Sequence, residues 1–148
     1  MNFRFPKGLL MIVSDAMTDY FASAHIRSTI GDVMEKMLSE GLDRLFIVND
    51  SSKLVGNFQE PFLMEAIFDH RLQNEPVSSV MQQSFLKLGP DDQIERAFEK
   101  FIAHRTSEFP VVSDTGKLVG VLTRRQILRA ILDRKQDPRK RIFAASVA

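Results

Sequence analysis

The chain has 148 residues, and its 20 Lys and Arg against 19 Asp and Glu leave a net charge of +1. That balance gives no strong overall pull toward nucleic acid or an anionic membrane. With 44% apolar and 26% charged residues the chain reads as globular, one domain or two half-domains sharing a core, and no apolar run nears the roughly 18 residues that cross a bilayer.

Cysteine is absent, which excludes disulfides and thiolate chemistry and fits the cytoplasm. Taken in order, Leu9 to Val13 is a short apolar run without a small-residue cleavage site, a packing segment rather than a signal peptide. Ile30, Val33, Met34, Met37 and Leu38 recur at helical spacing, and Gly41 stands where a glycine would end that helix. Leu45 to Val48 and Leu54 to Phe58 predict two strands joined by a turn at Asn49 to Lys53. A helix is predicted from about Pro61 to Arg71, and Leu72 to Pro76 reads as a short linker. Ile94, Ala97, Phe98, Phe101 and Ile102 predict another helix, with Asp92 and Glu95 at capping-box spacing. Phe109 to Val112 and Leu118 to Thr123 predict strands around a turn at Asp114 to Lys117, and a helix follows from Arg124 to Lys135. Residues 136–148 form a basic tail. The run Arg134 to Arg141 carries no interleaved aromatic residue to stack bases, so it reads as a solvated segment. Ile142 to Ala145 beyond it are suited to docking on the body or on a sister chain.

The chain repeats itself. Residues 13 to 67 align without a gap on 77 to 131, at a constant offset of 64, with 15 identities in 55 positions. The densest block sets Asp50, Lys53, Leu54, Val55 and Gly56 over Asp114, Lys117, Leu118, Val119 and Gly120. Two copies, rather than a long array, predict a paired module and not a solenoid. The repeats are expected over 10–71 and 77–135.

Three segments carry a resemblance to a known family: Val77-Ser78-Ser79-Val80-Met81, Phe109-Pro110-Val111-Val112, and Gly116 through Ile127. They resemble the opening, the apolar-Pro-Val-Val strand and the G-x-L-V-G…T-x-x-D ending of the CBS-domain pair, or Bateman module. The likeness runs from about residue 10 to residue 135. It implies an α+β fold of two pseudo-twofold-related β-α-β-β-α repeats, standing alone and pairing further into a homodimer. It also implies a regulatory role, sensing an adenine nucleotide or adenosine derivative in the cleft of the second repeat and signalling in trans to an effector protein.

The same resemblance implies the site. Ser107, Phe109 and Pro110 match the segment against which adenine lies, and Pro110, lacking an N–H, leaves the backbones of Phe109 and Val111 to read its edge. Thr123 matches the residue facing phosphate or ribose oxygens, with Arg124 beside it. Gln126 stands where the family has Asp accepting from both ribose hydroxyls. Charge-assisted hydrogen bonds contribute roughly 1.5–3 kcal/mol and neutral ones roughly 0.5–1.5. Ribose recognition through Gln126 is therefore expected to be weaker by about one to two powers of ten. In the first repeat Gln59 and Phe62 take the Thr and Asp positions, which implies a cleft that is closed or takes something less polar, and that serves structure. The ligand expected is AMP, ADP, ATP or another adenosyl compound, with no obligatory cofactor. A ligand-free interaction or dimerisation module is the alternative.

Catalytic and metal-binding patterns are lacking. His25, His70 and His104 have no second ligand at zinc-like spacing, and no serine sits in a nucleophile elbow. Asp91-Asp92 at a predicted helix start reads as a cap, and neither a Walker A loop nor a dinucleotide fingerprint occurs. No enzyme activity, membrane contact or nucleic-acid partner is expected. The apolar surplus on the helices points instead to helix-to-helix association between copies.

Overall fold

The computed structural model describes residues 10–136; the basic tail at 137–148, with Ile142 to Ala145, lies outside them. Helices and short strands alternate to give a mixed α+β architecture. In chain order they are α1 (Val13–Ala16), β1 (Ser23–His25), α2 (Ile30–Glu40), β2 (Arg44–Val48), β3 (Leu54–Gln59), α3 (Glu60–Ala66) and α4 (His70–Gln73). A 3₁₀ turn (Val77–Ser79), α5 (Ile94–His104), β4 (Glu108–Val112), β5 (Leu118–Thr123) and α6 (Arg124–Gln136) follow.

Two compact units form, one from residues 21–86 with 114–118, the other from 10–20, 87–113 and 119–136. In the first, β1 runs parallel to β2 and β2 antiparallel to β3. Its core holds Ile30, Val33, Met37, Leu45, Ile47 and Phe58, joined by Val77 from the 3₁₀ turn. In the second, β4 pairs with β5, and the place of a third strand shrinks to a single parallel bridge between Leu88 and Val111. The reason lies in one residue. Ile26 extends the first sheet by donating its N–H to the Val48 carbonyl at 2.8 Å, and its counterpart at the repeat offset is Pro90, which has no N–H to give.

Packing boundaries do not follow the repeat boundaries. Met11 and Val13 belong to the core that holds Ile94, Phe101, Phe109, Leu122 and Ile127. Thr18 exchanges two backbone hydrogen bonds with Val121, and Gln82 exchanges two with Asn57. At both junctions a glycine permits the close approach. A Cβ on Gly120 would lie 2.7 Å from the Thr18 carbonyl oxygen, and one on Gly56 would lie 2.9 Å from that of Gln82. Each repeat's opening segment thus packs in the unit built on the other repeat's strands.

Local chemistry sets the helix ends. Thr29 caps α2 by accepting from the Asp32 N–H at 3.1 Å, and Gly41 closes it in the left-handed region at φ 65°. α5 differs from expectation at its start. Its N-cap is Gln93 without a side-chain bond, because the Asp92 carboxylate turns back to accept from the Gly89 N–H at 2.8 Å. The helix predicted to run unbroken from Pro61 to Arg71 also breaks. Asp69 accepts from the N–H groups of Arg71 and Leu72 and starts α4, while Gln73 Nε2 donates to the carbonyls of Ala66 and Ile67.

Candidate functional site

β5 is buried through Gly120, Val121 and Leu122 and delivers the half-buried Thr123 to the point where α6 begins. There Thr123 and Gln126 form a reciprocal cap. The Thr123 N–H donates to Gln126 Oε1 at 2.9 Å, and the Gln126 N–H donates to Thr123 Oγ1 at 3.2 Å. Thr-x-x-Gln before an apolar run is a sequence signature of this cap. The signal was present in the chain, although family resemblance assigns the same two residues to a ligand. The cap is restrictive. It takes one of the two lone pairs of the Gln126 amide oxygen, which leaves one acceptor position and the NH₂ donor, whereas a carboxylate at this position would offer more acceptors. The Thr123 hydroxyl keeps its own hydrogen to donate.

Ser107 is exposed, and its carbonyl accepts from the Arg124 N–H at 3.4 Å, so the backbones of Ser107 and Arg124 meet beside the cap. Arg124 and Arg125 are both exposed in the first turn of α6, which holds no acidic residue. Phe109 and Pro110 are buried. The Phe109 ring packs edge-on against Phe101 at 4.6 Å between centroids, within the core. The Pro110 carbonyl accepts from the Leu88 N–H, and the Leu88 carbonyl accepts from the Val112 N–H. Because backbone groups alternate along a strand, Phe109 and Val111 turn theirs to the other edge, toward β5. Four of the six predicted residues, Ser107, Thr123, Arg124 and Gln126, therefore gather at one corner, and the other two form the buried strand behind it.

The first repeat's corner is filled. The Phe62 and Phe58 rings pack in a T-shape, centroids 5.2 Å apart and planes at 81°, against that unit's core. Gln59 Nε2 donates to Asn57 Oδ1 at 3.3 Å and to Gln82 Oε1 at 3.1 Å, and Asn57 is itself buried. The backbone contact recurs, with the Glu60 N–H donating to the Asp43 carbonyl at 2.9 Å.

Two further features fall outside the predicted set. A groove of about 390 Å³ lies on α5 and α6 and shares only Arg124 with it. In the first unit Arg27 makes two hydrogen bonds to Asp50, at 2.8 and 3.0 Å, and His25 Nε2 lies 2.7 Å from the same carboxylate. The Arg27 N–H donates to His25 Nδ1 at 3.1 Å, which turns Nε2 toward Asp50. The Arg27 and then the His25 hydrogen bonds hold Asp50 below the ordinary carboxylate range. Arg134, part of the basic run, is not free: it donates to the Leu10 carbonyl and lies 3.4 Å from Asp15, fastening α6 to the α1 segment. Among the described residues no helix is long and apolar enough to cross a membrane.

Comparison with known proteins agrees with this geometry. The CBS domain model matches the chain twice, at residues 13–58 and 77–133. Among solved structures, CBSX2 of Arabidopsis thaliana in complex with AMP is 25% identical with a TM-score of 0.73, over 84% of this chain and 98% of that one. The CBS domain pair of MJ0100, in complex with 5′-methylthioadenosine and S-adenosyl-L-methionine, is 21% identical with a TM-score of 0.66, over 85% and 99%; it bears on the fold alone. The L-aspartate semialdehyde sulfurtransferase of Methanosarcina acetivorans is 24% identical over 83% of this chain. The chain spans about a quarter of that curated relative, and the same share of the homoserine O-acetyltransferase of Methanococcoides burtonii. The two family matches fall on the two halves of the internal repeat and cover most of the chain, which makes this protein a member of the CBS domain family.

Proposed function

We propose that the chain is a regulatory module that binds an adenine nucleotide, or a related adenosyl compound, at the start of α6 and has no catalytic activity of its own. The observation that carries this reading is the first turn of that helix. Arg124 and Arg125 stand where the helix dipole favours carboxylates, at a cost of about 0.3–1 kcal/mol each, and no acid offsets them. A phosphate would satisfy the two arginines in the favourable field of the helix start, beside the N–H groups of Thr123, Arg124 and Gln126 that are already engaged. Ser107 and the Thr123 hydroxyl supply the neighbouring polar contacts, and Phe109 and Pro110 form the apolar wall behind. Likeness to an AMP-bound CBS pair supports the ligand class. Ligand would shift the module's shape only by its differential affinity for two states, and a partner protein in the cytoplasm would read the shift. The chain would act as a homodimer.

One observation favours a second reading, a ligand-free interaction module: the side-chain acceptors of Thr123 and Gln126 are already engaged in the cap. A thermal-shift series with AMP, ADP, ATP, S-adenosylmethionine and NAD separates the two. Ligand at 100 times its dissociation constant adds about 2.7 kcal/mol, which raises Tm by several degrees in a chain of this size. A shift with any of them supports the sensor; no shift at millimolar concentration leaves the interaction module.

A further inference from the structure

Gln126 stands at the second corner with a different hydrogen-bonding balance from a carboxylate. Its amide oxygen accepts from the Thr123 N–H at 2.9 Å, which leaves one acceptor position, and its Nε2 donates to nothing among the described residues. The Thr123 oxygen accepts from the Gln126 N–H at 3.2 Å, so the hydroxyl presents its hydrogen. Beside them Arg124 and Arg125 are exposed, no acid stands in that first turn of α6, and neither arginine enters an ion pair among the described residues. The side chains of this turn therefore offer mainly donors. The first repeat shows the alternative, an amide turned inward, where Gln59 Nε2 donates to Asn57 Oδ1 and to Gln82 Oε1.

A ribose with free 2′- and 3′-hydroxyls brings two donor hydrogens that need acceptors. A carboxylate takes both, whereas Gln126 has one acceptor position for them. A phosphate monoester on either hydroxyl reverses the demand, because it brings acceptor oxygens and a charge of about −1.5 to −2. Next to a carboxylate it would meet like charge. Next to Gln126 it meets an amide NH₂, a hydroxyl and two guanidiniums, and a guanidinium pairs with phosphate through two bonds at once. Dinucleotide-binding folds divide along the same line: an acid holds the free 2′-hydroxyl, and an arginine accommodates a 2′-phosphate.

We propose that Gln126 is the specificity-determining residue of the second corner, and that it selects adenosine phosphorylated on the ribose 2′- or 3′-hydroxyl over adenosine with a free cis-diol. The inference rests on adenine-nucleotide binding at this corner and narrows its ligand class. Residues 124 to 126 share one helical turn, so a single phosphate on that edge of the ribose serves the arginines, the Gln126 amide and the Thr123 hydroxyl together. A phosphate on the 5′ position leaves the diol to an amide that cannot accept both of its hydrogens.

Three isomers of one formula, adenosine 2′-, 3′- and 5′-monophosphate, isolate the position of the phosphate. Each is titrated calorimetrically into the full-length wild type and into Gln126→Asp. That variant retains a workable cap, since Thr29 and Asp32 form the same reciprocal pair at the start of α2. The expected result in the wild type is tighter binding of the 2′ or 3′ isomer than of the 5′ isomer by about tenfold, and the opposite order in Gln126→Asp by a similar factor. Equal affinities, or a 5′ preference in the wild type, would overturn the specificity while leaving nucleotide binding intact. A ribose-phosphate preference that survives in Gln126→Asp would overturn the assignment to Gln126. No heat from any isomer at millimolar concentration, in protein shown to be folded by circular dichroism, would overturn nucleotide binding and this inference with it.

Discussion

The two strand-to-helix corners occupy equivalent positions in the repeat and are different objects. In the second repeat Thr123 and Gln126 cap a helix whose first turn holds two exposed arginines and no acid. In the first, Phe62 fills the corner against Phe58, Gln59 is bonded to Asn57 and Gln82, and Glu60 with Pro61 opens the helix. An acid and a proline in the first turn are what helix stability favours. Two arginines are not. The contrast teaches where to look for function: the corner that departs from the stable solution, while its twin adopts it, is the one proposed here to hold a ligand.

The largest expected effect comes from forcing the first corner back to the family pattern. Phe62→Asp removes an aromatic contact and places a carboxylate against an apolar core, and should cost about 3 kcal/mol in urea unfolding without creating a nucleotide site. In the second corner, Gln126→Asp replaces an amide whose oxygen serves the cap with an anionic acceptor. AMP affinity should rise by about one to two powers of ten by calorimetry. Where the repeats differ in backbone, Arg105 sits at φ 50° and its counterpart Gly41 at φ 65°. Arg105→Gly should relieve left-handed strain of about 1 kcal/mol and raise Tm by roughly 2–4 °C.

The smallest effect is a pH dependence confined to the first repeat. Asp50 is held below its ordinary range by Arg27 and then His25, so its contribution is present above the unfolded carboxylate value and is lost as pH falls through the lowered folded one. The carboxyl carbon of Asp50, followed by NMR, should titrate at lower pH than in Arg27→Ala.

Much of the fold was legible because periodicity and turn chemistry act locally. The strand at Leu118–Thr123 has the bounds its apolar run predicts, and Gly41 ends α2 as expected. Illegible features depend on choices that local sequence does not make. Nothing within Val13 to Thr18 says that it pairs with Val121, because a strand edge accepts any suitable backbone; only the close approach at Gly120 records the choice. The break at Asp69 comes from a side chain outcompeting the helix for two N–H groups, a contest that helical spacing does not reveal. At the corner, the family motif singles out Ser107, Thr123, Arg124 and Gln126, and the structure adds the cap that engages two of them.

The central claim is that the second corner binds adenosine ligands and the first does not. Its most direct test is calorimetric titration of AMP into the wild-type protein and into Thr123→Ala, with circular dichroism confirming that the variant is folded. One site per chain in the wild type, lost in Thr123→Ala, is the predicted result. No heat at millimolar AMP, or binding undiminished in the variant, would contradict it.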